Sequence, residues 1–207
     1  MLRQILNELR HHAPFTAFGA ITGVVFIVII VFGNALSLVS QASYAIFYVL
    51  HPAHVVLSAL VTTALYKKYS KGEIWTVLLV GYFGSIGIAT MSDSLIPYLG
   101  EMLLGLPYQE AHIGFIEEWW LVNPAALLGI IIGYFKQPTR FPHFGHVLIS
   151  TWASLFHIIM ALGETANWIT FSVICLFLFL AVWVPCCLSD IVFPLLFVKK
   201  RLPPSNA

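Results

Sequence analysis

The stretch His51-Pro-Ala-His54-Val-Val-Leu-Ser58 recurs later in the chain as His143-Phe-Gly-His146-Val-Leu-Ile-Ser150. Both histidines, one valine and the serine keep their places. Downstream of each copy comes a second repeated stretch, SDSLIP at residues 92–97 and SDIVFP at residues 189–194. Two short motifs that recur in the same order and at similar spacing indicate an internal duplication.

The composition sets the class of protein. Hydrophobic residues make up 59% of the chain and charged residues only 9%, against about 25% charged in an average soluble domain. The mean hydropathy is +0.90. These values predict a multi-pass integral membrane protein whose surroundings are lipid. The net charge of +1 gives no indication of nucleic-acid binding.

Apolar segments define the predicted spans, since a transmembrane helix needs about 20 mostly apolar residues. Between the third and fourth of these segments, residues 99–116 are too polar to face lipid and predict an interfacial or re-entrant segment. The last segment is long enough to bend at Pro185. The six predicted spans are 14–38, 46–66, 74–97, 117–135, 143–163 and 168–197.

The basic residues predict the orientation. With six spans, all 10 Lys and Arg residues fall on one side of the membrane. The positive-inside rule makes that side cytoplasmic and places both termini there. The predicted fold is therefore an all-α polytopic membrane protein with two inverted-topology three-helix repeats, residues 1–98 and 117–207, joined by residues 99–116 on the outer face.

The repeated polar residues are the candidate site. Each histidine pair is spaced i, i+3, so its two rings share one helical face. Two imidazoles and a carboxylate suit a divalent transition metal such as Zn, Fe, Mn, Co or Ni. We expect two metal clusters, one near each membrane face: His51, His54 and Asp93 near the outer face, and His143, His146 and Asp190 near the cytoplasmic face.

Other residues are candidates for a pathway around these clusters. Ser58 and Ser150 lie one turn beyond each histidine pair; they would line the pathway or bond a backbone carbonyl. His157 and Glu164 share a helical face and could relay protons. Cys186 lies four residues before Asp190 and could add a soft ligand to the inner cluster. A plainer interpretation has the histidines contact headgroups and the Ser-Asp motifs end a span.

Three functions are compatible with these patterns. The leading hypothesis is a transporter or permease for a cation, most of all a divalent transition metal. The alternative is a metal-dependent membrane enzyme acting on a lipid or small molecule, although a duplicated site is unnecessary for one active centre. The third is a b-haem electron-transfer subunit with His51 or His54 and His157 as axial ligands. A homo-oligomer or a larger membrane complex is compatible with each.

Overall fold

The structure, a computed structural model, describes residues 2–70, 73–136, 140–163, 167–187 and 193–197. Within these ranges, side chains are described except at residues 2–9, 11–12, 140–144, 187 and 195. The regular secondary structure among the described residues is helical, without strands. The helices are α1 (Leu2–Phe32), α2 (Leu36–Tyr69), α3 (Ile74–Thr90), α4 (Ile96–Leu104), α5 (Gly114–Glu117), α6 (Trp119–Phe135), α7 (Arg140–Leu162), α8 (Trp168–Cys187) and α9 (Phe193–Leu196).

Five helical segments are long and apolar enough to cross a membrane: Ala13–Phe32, Leu36–Tyr69, Ile74–Leu104, Gly145–Leu162 and Trp168–Cys186. The predicted fourth span corresponds to α6, which is apolar but has only 17 residues. At 1.5 Å per residue it measures about 26 Å, somewhat less than the roughly 30 Å hydrocarbon core. The class of membrane protein is therefore supported by five spans and one shorter apolar helix.

The first helix boundary differs from the prediction. The first span was expected to reach residue 38, but α1 ends at Phe32 and α2 already begins at Leu36. The chain turns at Asn34, which has a φ of 53°, in the left-handed region that asparagine tolerates better than most residues. His51 and His54 therefore lie in the middle of a 34-residue helix, and not at its entry as expected.

The first Ser-Asp motif does not end a helix either. Residues Met91–Leu95 form a single π-helical turn that joins α3 to α4, and the helix continues to Leu104. Pro97 is the second residue of α4 and has no amide hydrogen with which to bond the preceding turn. Gly105, with a φ of 61°, ends α4. We call residues 105–113 the connecting turn.

The two helices that carry the repeated histidine motifs, α2 and α7, pack against each other at the centre of the fold. Helix α2 also packs against α3 and α6, and α7 packs against α8 and α1. Helix α1 contacts α8, and α3 contacts α6. These contacts form a symmetric set. When the labels α1, α2 and α3 are exchanged with α6, α7 and α8, each contact named here becomes another contact named here.

Two glycines allow α6 to approach α2 closely. A Cβ atom at Gly129 would collide with the carbonyl oxygen of Val56, and one at Gly133 would collide with that of Leu60. This spacing of two small residues four apart is a common way for membrane helices to bring their backbones into contact. It fixes the position of α2 along α6, and with it the position of His51 and His54.

Candidate functional site

Asp93 is the centre of the candidate site. It lies in the π-helical turn, and its side chain is completely buried. Its Oδ2 atom is 2.9 Å from Nδ1 of His51 and 2.8 Å from Nδ1 of His54. Both imidazoles are also 0% exposed. The i, i+3 spacing on α2 thus brings two rings to one carboxylate oxygen, as the sequence predicted.

The second oxygen of Asp93 accepts hydrogen bonds from two serines. Ser92 and Ser150 each place their Oγ atom 2.7 Å from Asp93 Oδ1. Ser150 belongs to α7, so this bond crosses from one predicted repeat to the other. Ser154, one turn further along α7, donates to the carbonyl of Ser92 at 2.9 Å. We call His51, His54, Ser92, Asp93 and Ser150 the Asp93 cluster.

These contacts explain how a carboxylate can be buried in an apolar bundle. An ionised carboxylate offers about four acceptor positions, and here four groups are within hydrogen-bonding distance. Each hydrogen bond to a charged group contributes about 1.5–3 kcal/mol net. With Asp93 ionised, both rings donate from Nδ1, which leaves each Nε2 atom directed away from the carboxylate.

His51 presents its Nε2 atom to the short helix α5. No hydrogen-bond partner for this buried atom is found among the described residues. A Cβ atom added at Gly114 would lie 2.9 Å from it and 2.8 Å from Cδ2 of the same ring. On its face, the ring stacks on Phe47 with centroids 5.2 Å apart and planes inclined by 10°. The glycine therefore makes room for the imidazole.

Replacing Gly114 with alanine should displace His51. Overpacking of this kind costs about 1–3 kcal/mol, so the midpoint of thermal unfolding in detergent should fall. The same substitution in a His51→Ala background should cost much less, because the colliding ring is gone. A double-mutant cycle of unfolding free energies tests this; equal costs in both backgrounds would show that the glycine does not act through His51.

His54 faces α7 and α8. Its ring stacks on that of His146, with centroids 5.9 Å apart and planes inclined by 9°. The Sγ atom of Cys186 lies 4.0 Å from His54 Nε2. Both neighbours are 1% exposed. Cys186 was expected beside the second cluster alone, but the structure places it next to a histidine of the first.

Residues of the two predicted clusters lie together in the described part of the structure. His146 and Ser150, predicted for the inner site, contact His54 and Asp93 where α2 meets α7. The physical reason is that both motif helices are central and cross each other at the histidines. Ser58 is buried on α2. Asp190, Glu164 and the side chain of His143 lie outside the described residues.

A second buried network surrounds His157, whose Nδ1 atom is 2.7 Å from Oε1 of Glu101 in α4. The expected partner was Glu164. On the other side of the ring, Nε2 accepts a long hydrogen bond of 3.4 Å from the backbone amide of His112. The sequence prediction placed Glu101 in the interfacial segment, because no neighbouring residue indicates that α4 extends to Leu104. A carboxylate eight residues after Asp93 was the available signal.

The connecting turn links this network to the surface. His112 Nδ1 lies 3.1 Å from Oε2 of Glu117, which also accepts a 2.5 Å bond from the hydroxyl of Tyr48. The amide of Ile113 donates to Glu117 Oε1. Burial raises the pKa of Glu117, but these three donors outweigh that effect and hold the pKa below its ordinary value. We call Tyr48, Glu101, His112, Glu117 and His157 the His157 network.

Phe47 separates the two sets. Its ring stacks on His51 and also meets the His157 ring edge-on at a centroid distance of 5.5 Å. A haem held between His51 and His157 would have to displace this phenylalanine. The geometry therefore lends no support to the haem hypothesis.

A metal ion could bind in the Asp93 cluster only after the cluster rearranges. Among the described residues, no three His, Cys, Asp or Glu side chains are arranged to hold a metal ion. Asp93 Oδ2 already receives both imidazole Nδ1 atoms. A metal ion could take this oxygen and these nitrogens only after the intervening protons leave, since a ligating nitrogen must be deprotonated.

Comparison with known proteins gives no independent assignment. No family model, no curated protein and no solved structure matches the chain.

Proposed function

We propose that the chain is a membrane transporter that carries a cation, most of all a divalent transition metal, through the Asp93 cluster. The observation that supports it best is a fully buried carboxylate bonded to two fully buried imidazoles between helices apolar enough to cross a membrane. Ionisable groups are costly in such surroundings and commonly mark ion pathways.

The chemistry of the cluster supports exchange. The cation would replace protons that now lie between the imidazole nitrogens and Asp93 Oδ2, so binding of the cation releases protons. Sites of this kind hold their ion reversibly, because protons compete for the same atoms. Cys186 next to His54 adds a sulfur atom that favours softer ions such as Zn²⁺ over Mn²⁺.

The wider architecture of the proposal is six spans in two inverted repeats with both termini cytoplasmic. Three features support it: the duplicated motifs, the 10 basic residues on one predicted side, and helix contacts that persist when α1, α2 and α3 are exchanged with α6, α7 and α8. Transporters with inverted repeats commonly place the substrate between the repeats near the bilayer midplane. The hydrogen bond from Ser150 to Asp93 joins the two repeats in this manner. The second set of predicted ligands, His143, His146 and Asp190, remains part of the proposal from sequence.

The proposal is tested with the purified chain in liposomes that contain a metal-sensitive and a pH-sensitive dye. We expect entry of Zn²⁺ or another transition metal down its gradient, accompanied by proton movement in the opposite direction. Empty liposomes provide the baseline, and K⁺ in place of the metal tests selectivity. Metal binding without flux would favour the enzyme hypothesis. The cation site would be refuted if the protein showed no binding and no flux with Zn, Fe, Mn, Co or Ni.

A further inference from the structure

Glu101 has an unusual environment for a carboxylate. Its side chain is 0% exposed, and only Oε1 has a partner, His157 Nδ1 at 2.7 Å. No partner for Oε2 is found among the described residues. A buried polar atom without a hydrogen bond costs about 1–3 kcal/mol, and more when it is charged. Within the described part of the chain, the unpaired oxygen of Glu101 lowers the stability of the fold, which suggests that the carboxylate has a function.

The other groups around the pair do not balance its charge. The His112 amide donates to His157 Nε2, which assigns the ring proton to Nδ1 and makes the ring neutral. The pair then carries one negative charge. Helix α8 has no charged residue, and neither does α1 after His12. Towards α2, the ring meets the apolar Phe47, beyond which lie His51 and Asp93. Among the described residues, the remaining ionisable side chains of the network are His112, Glu117 and Tyr48.

Exposure falls steadily along the network. The side chain of Glu117 is 34% exposed, that of His112 is 11%, that of His157 is 1% and that of Glu101 is 0%. The rings of His112 and His157 have centroids 5.4 Å apart. Ionisable groups therefore lead from the surface to the buried pair without an apolar interruption.

We infer that the Glu101–His157 pair is a proton-binding site, separate from the Asp93 cluster, that is loaded through His112 and Glu117 of the His157 network. A proton that reaches His157 Nε2 replaces the long hydrogen bond from the His112 amide and makes the ring an imidazolium. Transfer of the Nδ1 proton to Glu101 Oε1 then leaves a neutral ring and a neutral acid. The net charge of the pair changes from −1 to 0, which removes an uncompensated buried charge.

The two sites are close enough to be linked. Asp93 contacts Ser150 and Glu101 contacts His157, so the sites lie about 10 Å apart along α7 at 1.5 Å per residue. A role of the pair in driving transport rests on the proposed function. Proton binding by Glu101 does not.

The test is an infrared pH titration of the purified protein, which reports the protonated form of a buried carboxyl group. Wild type should show a titrating band that is absent from Glu101→Gln. Glu110→Gln, which removes an exposed glutamate of the connecting turn, should retain it. His157→Gln should shift the midpoint of this band, because it removes the hydrogen-bond partner of Glu101 Oε1. A band that persists in Glu101→Gln, or that is insensitive to His157→Gln, would overturn the inference.

If Glu101→Gln fails to fold, Glu101→Asp takes its place, because it keeps a carboxyl group but shortens the reach to His157. Its midpoint should shift, and an unchanged midpoint would overturn the inference. Metal binding and flux, measured in parallel, separate the two proposals. Wild type without flux but with the Glu101 band would refute only the transporter. Wild type with flux but with a band that survives Glu101→Gln would refute only the proton site.

Discussion

Asp93→Asn is expected to abolish cation flux in liposomes while the chain still inserts and folds. An asparagine has nearly the same shape but is neutral, and its amide nitrogen cannot accept a hydrogen bond. Loss of a group that merely supports a metal ligand lowers metal affinity about 10–100-fold. Because we propose that Asp93 contacts the ion itself, the fall should be at least as large. Flux and metal content on the same preparation measure it.

The matched control is Glu73→Gln, which also removes one carboxylate charge, but at an exposed position before α3. It should retain flux and bound metal. Retention of wild-type flux by Asp93→Asn would rule out the Asp93 cluster as the cation site. If Asp93→Asn keeps both metal binding and flux, the buried carboxylate has a purely structural role. The free energy of unfolding should then fall in Asp93→Asn but not in Glu73→Gln.

Gly129→Ala should strongly destabilise the protein. The added methyl group would meet the carbonyl oxygen of Val56 and lie 2.7 Å from Cβ of Ala59. A backbone atom cannot move aside as the end of a side chain can, so α6 must separate from α2. Overpacking costs about 1–3 kcal/mol and occasionally more. We expect the upper part of this range, measured as a lower midpoint of unfolding in detergent.

Gly87→Ala is the corresponding control, because it makes the same chemical change in another apolar helix. An added Cβ atom at Gly87 meets nothing within 4 Å. Alanine is favoured over glycine inside a helix by about 0.5–1 kcal/mol, so this variant should be as stable as wild type or slightly more stable. Equal destabilisation of both variants would mean that the close contact between α2 and α6 is not responsible.

The sequence was sufficient to predict the first half of the candidate site. The chain has only two aspartates, and the repeated motifs drew attention to His51, His54 and Asp93. The i, i+3 spacing implied that the two rings share a face. Proximity between His54 and His146 was not predictable in this way. It depends on how α2 crosses α7, which is set by packing between distant parts of the chain.

Helix boundaries were predicted less well than helix existence. Hydropathy identified each apolar segment, but it is insensitive to a residue such as Asn34 that reverses the chain within an apolar stretch. It also assigned Glu101 to an interfacial or re-entrant segment. A glutamate looks like the end of a span when its partner is not known, and His157 lies 56 residues away in sequence.

The π-helical turn has a consequence for the angular phase of its helix. In a regular α-helix the eight residues from Asp93 to Glu101 would rotate the side-chain direction by about 800°, which is about 80° past two full turns. The π-helical turn from Met91 to Leu95 accommodates one additional residue and contains Asp93, so the same eight residues rotate by less than about 800°, and the mismatch is smaller than about 80°. Both carboxylates can then point at α7, one towards Ser150 and the other towards His157. The irregularity therefore brings the two buried acids closer to a common face of the helix than a regular helix would.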